Sequence, residues 1–234
     1  MRFLLIGVLL VISIVLPGCA RRTYQGQALV PAALATHRTV AILPFTVGLE
    51  RLQDVVVRGV QWTDSVRRPL SLTSGPNRQR TGERQQLGYQ LQAELQAALM
   101  RWQVAHPSTV TFQNPADTNQ RLAQAGITYE NLLSYSMAQL RVALGVDAVL
   151  MGQTDMRQML PGGVSIAVFL LSNNGTNPMA DNAVRTSLDI YDTQTGKVVW
   201  RFDHELRGKP STNPPTLAKA LVRNMQGAFP YAKQ

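Results

Sequence analysis

One cysteine occurs in the 234 residues, Cys19, and it follows directly on an apolar run. A thiol is the side chain best suited to permanent alkylation. Its sulfur can form a thioether, a bond that neither reduction nor ordinary hydrolysis reverses. The other reactive residue types are scattered. His37, His106 and His204 stand far apart in the chain, with no neighbouring cysteine and no carboxylates at metal-ligand spacing. The chain holds no His-Glu-x-x-His metal motif, no Gly-x-Ser-x-Gly elbow and no glycine-spaced dinucleotide loop. Thr195-Gly196-Lys197 lacks the upstream glycine and the following hydroxyl of a phosphate-binding loop and reads as a hairpin turn. The expectation is a chain with no catalytic residues, no metal and no cofactor.

The residues before Cys19 say how it is presented. Arg2 supplies a positive charge, and Phe3 to Leu16 are apolar apart from Gly7 and Ser13, a run of about 14 residues. A membrane-spanning helix needs roughly 20, so the run reads as a secretory signal peptide over residues 1–18. The next residues, Leu16-Pro17-Gly18-Cys19, resemble the bacterial lipobox. That resemblance implies cleavage between Gly18 and Cys19 and a diacylglycerol on the Cys19 sulfur. Each buried methylene contributes about 0.8 kcal/mol and one acyl chain binds only marginally, so two or three chains on one residue make a stable anchor. Ala20, where an aspartate would retain an enteric-type lipoprotein in the inner membrane, implies the outer membrane, facing the periplasm. The alternative is a free cysteine buried after an ordinary signal peptide. With its thiol lipidated, the chain forms no internal disulfide despite an oxidising compartment, and its fold must stand on an apolar core.

Composition agrees with a folded domain. Apolar residues make up 45% of the chain, and the formal charge is +9, from 23 basic and 14 acidic side chains. The excess is arginine, since Lys197, Lys209, Lys219 and Lys233 are the only lysines. A basic surface attracts polyanions. Secretion moves the expected partner from nucleic acid to anionic head groups, lipopolysaccharide or peptidoglycan, with a merely solvated surface as the plain alternative.

The elements are read from periodicity. Residues 19–38 carry Pro31 and several alanines without a period, which predicts a tether from the lipid to a single domain over 39–234. Thr39 to Val47 is a β-branched apolar run, a first buried strand. Residues 50–80, with Arg67, Arg68, Pro69, Gly75, Pro76, Arg78 and Arg80, predict an exposed basic insertion. From Thr81, as N-cap, Leu87, Leu91, Leu95, Ala98 or Leu99, and Trp102 recur at helical spacing. A short strand at Val110 to Phe112 follows, then a helix opened by Asn114-Pro115 and ended by Gly126. A longer helix starts at Thr128, with Leu132, Leu133, Met137, Leu140 and Leu144 on one side and Gly145 as C-cap. Val146 to Gly152 reads as a strand. Val184, Thr186, Leu188 and Ile190, a turn at 192–196, and Val198, Trp200 and Phe202 form a terminal β-hairpin. A helix from about Pro215 to Met225 closes the chain. The fold class expected is α/β (α+β), a mixed β-sheet with helices packed on it.

Three stretches, Val40-Ala41-Ile42-Leu43-Pro44-Phe45, Leu144 to Gly152, and Asp192 to Trp200, are similar in order and spacing to a group of envelope lipoproteins sharing one α/β domain. The group includes the curli secretion channel lipoprotein, lipoprotein activators of penicillin-binding proteins, and small lipoproteins with the N-terminal domain architecture of the Tol β-propeller protein. The resemblance implies a recognition or assembly module that binds another envelope protein, with a homo-oligomer as a further possibility. It carries no functional residues over, because its motifs are structural. Gly162 to Asn182 holds the apolar Val164 to Leu171 followed by turn-rich residues. That allows burial against the core, a partner-binding or membrane-resting loop, or a membrane hairpin around 160–191 in a curli-type channel subunit.

Overall fold

The computed structural model describes residues 22–51, 75–158, 182–208 and 213–232. The signal peptide, Gly18 and Cys19, most of the basic insertion, and residues 160–181 of the segment considered as a membrane hairpin lie outside the described residues.

A mixed sheet forms the framework, as the patterns predict, and among the described residues it has seven strands. Its strands are β1 (Arg22–Ala28), β2 (Thr39–Ile42), β3 (Thr46–Arg51), β4 (Thr111–Phe112), β5 (Ala148–Gln158), β6 (Asn182–Asp192) and β7 (Val198–Gly208). Their order is β1-β7-β6-β5-β2-β4, with β3 also on β5. The pairs β5–β6, β6–β7 and β7–β1 are antiparallel, while β2 and β3 run parallel to β5. Among the described residues five α-helices accompany the sheet: α1 (Pro31–Thr36), α2 (Gly75–Ala105), α3 (Pro115–Gln124), α4 (Met137–Leu144) and α5 (Pro214–Met225).

The break between β2 and β3 has a local cause. Pro44 has no N–H to give the ladder. The four steps from Ile42 to Thr46 lie against three from Leu150 to Gln153, so the strand bulges there. The loose residues are still tied down: Leu43 N–H donates to Leu150 O at 2.9 Å, and Phe45 N–H donates to Gly88 O at 3.1 Å. Phe45 turns its ring over Gly152, where any Cβ would collide with the ring. A glycine is therefore required in the middle of β5.

One face of the sheet is buried across β2, β5, β6 and β7. Leu91, Leu95 and Leu99 of α2, with Leu217, Leu221 and Met225 of α5, pack on Val184, Leu188, Ile190, Trp200 and Phe202. The helical and strand periods thus meet on one interface. The second face is covered only in part. Leu122 of α3, Leu132, and Leu140 and Leu144 of α4 pack on Ala41, Leu43 and Val149. Buried Gln92 joins the two layers, donating to Ile42 O at 2.7 Å and exchanging hydrogen bonds with Asn119.

Several expectations need correction. The tether over 19–38 is already folded from Arg22: β1 pairs with β7 along all seven of its residues, and α1 follows. Its side chains are largely exposed, so no apolar period betrayed it. Backbone hydrogen bonds alone make it a strand. The helix expected from Thr81 begins at Gly75, so Thr81 lies inside it and is not its N-cap, and residues 75–80 are helix, not loop. The helix expected from Thr128 is two pieces. A single 3-10 turn, Leu132–Ser134, is followed by α4, which starts at a capping box formed by Ser136 and Gln139. Leu133 is consequently exposed. Residues 182–191, the end of the segment considered as a membrane hairpin, are strand β6 in the middle of the sheet, with Val184, Leu188 and Ile190 fully buried. In the terminal hairpin the register shifts at Ile190/Tyr191, which buries Val199 and leaves Val198 half exposed. The caps at Asn114, Gly126 and Gly145 stand as expected.

Candidate recognition face

Among the described residues, the half of the second sheet face that α3 and α4 leave free is polar and mostly exposed. Alternation along the strands puts Gln153, Asp155 and Arg157 of β5, Arg185, Ser187 and Asp189 of β6, and Arg201, Asp203, Glu205 and Arg207 of β7 on it. Cross-strand register turns these into rungs of complementary charge. Arg201 makes a two-pronged pair with Asp189, at 2.7 and 2.9 Å. Ser187 donates to Asp203 at 2.7 Å. Glu205 accepts from Arg207 at 2.5 Å and pairs with Arg185 at 3.2 Å. Those guanidiniums hold the Glu205 carboxyl below the usual carboxylate range, and Asp189 holds the Arg201 guanidinium charged beyond its ordinary value. Exposed pairs of this kind each contribute well under about 1 kcal/mol to stability. Their effect is to hold the donors in place.

A groove of about 600 Å³ crosses this face. Gly48 and Leu49 of β3, Asp155, Met156 and Arg157 of β5, Ala183 and Arg185 of β6, and Glu205 and Arg207 of β7 line it, and Arg84 of α2 closes one side. Gly48 has no side chain to meet the Asp155 carboxylate, which a Cβ there would strike.

The histidines fall into three different settings. His106 stacks on Trp102, ring centroids 4.7 Å apart. His204 is buried beside Asn224, 2.8 Å away. His37 is the surprise, since the sequence shows no carboxylate near it. Its Nε2 lies 3.0 Å from Asp192 Oδ2, and its Nδ1 lies 2.7 Å from the Tyr231 hydroxyl. Asp192 and Tyr231 lie 155 and 194 positions from His37 along the chain, so no spacing rule could have joined them. At 1% exposure for His37 and 0% for Tyr231, no reacting molecule reaches the imidazole. The cluster pins the start of β2, the end of β6 and the C-terminal segment together. Among the described residues no group of three or more His, Cys, Asp or Glu could hold a metal ion. Thr195-Gly196-Lys197 is indeed the hairpin turn, with Gly196 at φ +71°, and Trp200 is core.

This corner of the molecule sets an acid response. Burial alone would raise the Asp192 carboxyl, but hydrogen bonds from Thr195 and His37 outweigh it and hold the group below its ordinary 3.8. Asp147 is likewise opposed by burial and lowered by donors from Thr39 and Arg38. A depressed carboxyl brings stability that is complete above the unfolded value and is lost as pH falls through the folded one. Denaturant midpoints are therefore expected to hold down to about pH 5 and to fall steeply below pH 4. Asp147→Asn with Asp192→Asn should flatten that slope. An unchanged slope in the double variant would place the acid sensitivity elsewhere.

Fold and face together define a mixed-sheet α/β module in which, among the described residues, half of one sheet face is polar and exposed. No protein-family model and no curated protein matches the chain. Among solved structures it is distantly similar to the PelC dodecamer from Paraburkholderia phytofirmans, at 12% identity over 92% of this chain and 100% of that one, with a TM-score of 0.38. It is also similar to the lipoprotein GNA1162 from Neisseria meningitidis, at 13% identity over 81% and 99% of the two chains and a TM-score of 0.41. A third likeness is to LpoB from Escherichia coli, at 9% identity over 83% and 74%, with a TM-score of 0.32. Among the described residues no helix is long and apolar enough to cross a membrane.

Proposed function

We propose that the chain is a lipoprotein of the bacterial outer membrane, held by diacylglycerol on Cys19 with its domain in the periplasm, and that it acts without catalysis by binding another envelope protein as an assembly or activator subunit. The observation that carries this reading is the position of Cys19. The chain's single thiol ends an apolar run in Leu16-Pro17-Gly18-Cys19 and precedes the first strand by three residues. A lipid there anchors the domain without entering its core. The polar sheet face supports the binding role, because it presents ordered guanidiniums and carboxylates on paired strands. Cells fed labelled palmitate are expected to label the wild-type protein and leave Cys19→Ser unlabelled. Label on the Cys19→Ser chain would remove the anchor from this residue, and recovery of unlabelled wild type in the soluble fraction would remove it altogether.

A further inference from the structure

β1 stands at one margin of the sheet and, among the described residues, pairs with β7 alone. Leu29 N–H donates to Val199 O at 2.8 Å, one step past the pair of Ala28 with Trp200. Backbone groups alternate along an antiparallel strand, so the odd residues bond β7, and the N–H and C=O of Tyr24, Gly26 and Ala28 point outward. Such an edge invites a further strand, and folds that avoid pairing blunt it with charge or proline. From Thr23 to Leu29 there is neither. Thr23, Tyr24, Gln25, Gln27 and Ala28 are all exposed. On the helix-covered side a groove of about 360 Å³ runs past Gly26, walled by Tyr24, Phe202, Arg223 and Ala228. Tyr24 leans on Phe202, ring centroids 6.4 Å apart, and still leaves 55% of its surface to solvent.

We propose that this edge pairs with the β1 of a second copy of the chain, antiparallel, about a two-fold axis at Gln25. The sequence of the strand selects this occupant, because in that register it is its own complement. Tyr24 of each copy falls opposite Gly26 of the other, on the same side of the sheet, and the outward backbone groups of the two residues exchange both hydrogen bonds. Each exposed ring then covers the other copy's bare glycine, and the two rings are diagonal neighbours, within aromatic reach. Thr23 meets Gln27, and Arg22 meets Ala28, so no charge on β1 faces its like. A two-fold axis normal to the sheet leaves both polar faces on one side. The pair therefore presents one continuous polar surface in two copies.

Cysteine cross-linking of the full chain in cell envelopes reads the register directly. Facing residues of a pair that shares no backbone hydrogen bonds lie about 4.5 Å apart between Cα atoms, within disulfide range. Gln25→Cys is therefore expected to run as a covalent dimer on non-reducing gels after mild oxidation. Gln27→Cys is as exposed, but its two copies lie four residues apart in the register, about 13 Å, so it should stay monomeric. Thr23→Cys combined with Gln27→Cys should restore the dimer. The parent, whose single thiol is Cys19, sets the background, so a free thiol there shows in its own lane and leaves the comparison intact. In mild detergent Gln25→Lys, which sets two ammonium groups against each other at the axis, should lose the dimer that the parent and Gln27→Lys form, with an unchanged denaturation midpoint. Absence of the Gln25→Cys dimer, equal cross-linking by Gln27→Cys, or a Gln25→Lys chain that still elutes as a dimer would overturn the proposal. A Gln25→Cys adduct with a different protein in place of the dimer would overturn it in favour of that protein on the edge.

Discussion

Replacing Trp200 with alanine is expected to lower the folding free energy by about 3–5 kcal/mol, the range for large aromatic truncations in a packed core. The side chain is fully buried. It stacks on Phe202 with ring centroids 6.0 Å apart and meets Phe229 edge-on at 5.8 Å. Its indole N–H donates to Ala228 O at 2.8 Å. The change therefore opens a cavity between β7 and the segment after α5, and it strips a buried carbonyl of its donor. Melting should fall by roughly ten degrees, since 1 kcal/mol is worth about 2–4 °C in a domain of this size. Trp200→Phe, which keeps most of the ring and loses the N–H, should fall between wild type and alanine. A loss below about 1 kcal/mol for Trp200→Ala would mean that the C-terminal segment is not docked on the ring.

His37→Ala should cost about 3 kcal/mol, because it removes the central member of a buried hydrogen-bonded cluster and leaves a cavity there. Asp192 keeps its bonds from Thr195, but the Tyr231 hydroxyl loses its partner. Burial and the charges of Asp192 and Asp147 already raise the Tyr231 phenol far beyond its ordinary 10.0, so it stays protonated and cannot adapt by ionising. Tyr231→Phe should cost about 1–2 kcal/mol. Combined with His37→Ala it should add less than its single cost, as expected for contacting residues. Full additivity in denaturant titrations would show that the two side chains act independently.

These two sites mark the limit of what the chain discloses as a string. Trp200 was legible as a hairpin residue because the alternation around it is local and its partner strand lies across a short turn. The same holds for the caps at Asn114 and Gly145 and for the leucines of α2, where each signal occupies one or two turns. His37, Asp192 and Tyr231 meet only once the sheet has closed, and nothing near any one of them names the others. β1 was missed for a different reason. An edge strand with little buried side-chain area has no period to read, and its evidence is the ladder with β7. The charged face was half legible. Alternation in the terminal hairpin sets Val184, Leu188 and Ile190 on one side of the strand and so Arg185, Asp189 and their neighbours on the other. That α3 and α4 stop short of covering them is a matter of helix lengths and of the split at Ser136.

The way β1 joins the sheet also bears on mechanical load. A pull applied at the N-terminus runs along the strand axis, and β1 is paired antiparallel to β7 over all seven residues. Its rungs then resist together in shear, where a pull across the sheet would open them one at a time from the end. On the proposed lipid anchor at Cys19, a drag on the lipid would meet the stiff direction of this edge, with the outermost strand as its strain relief.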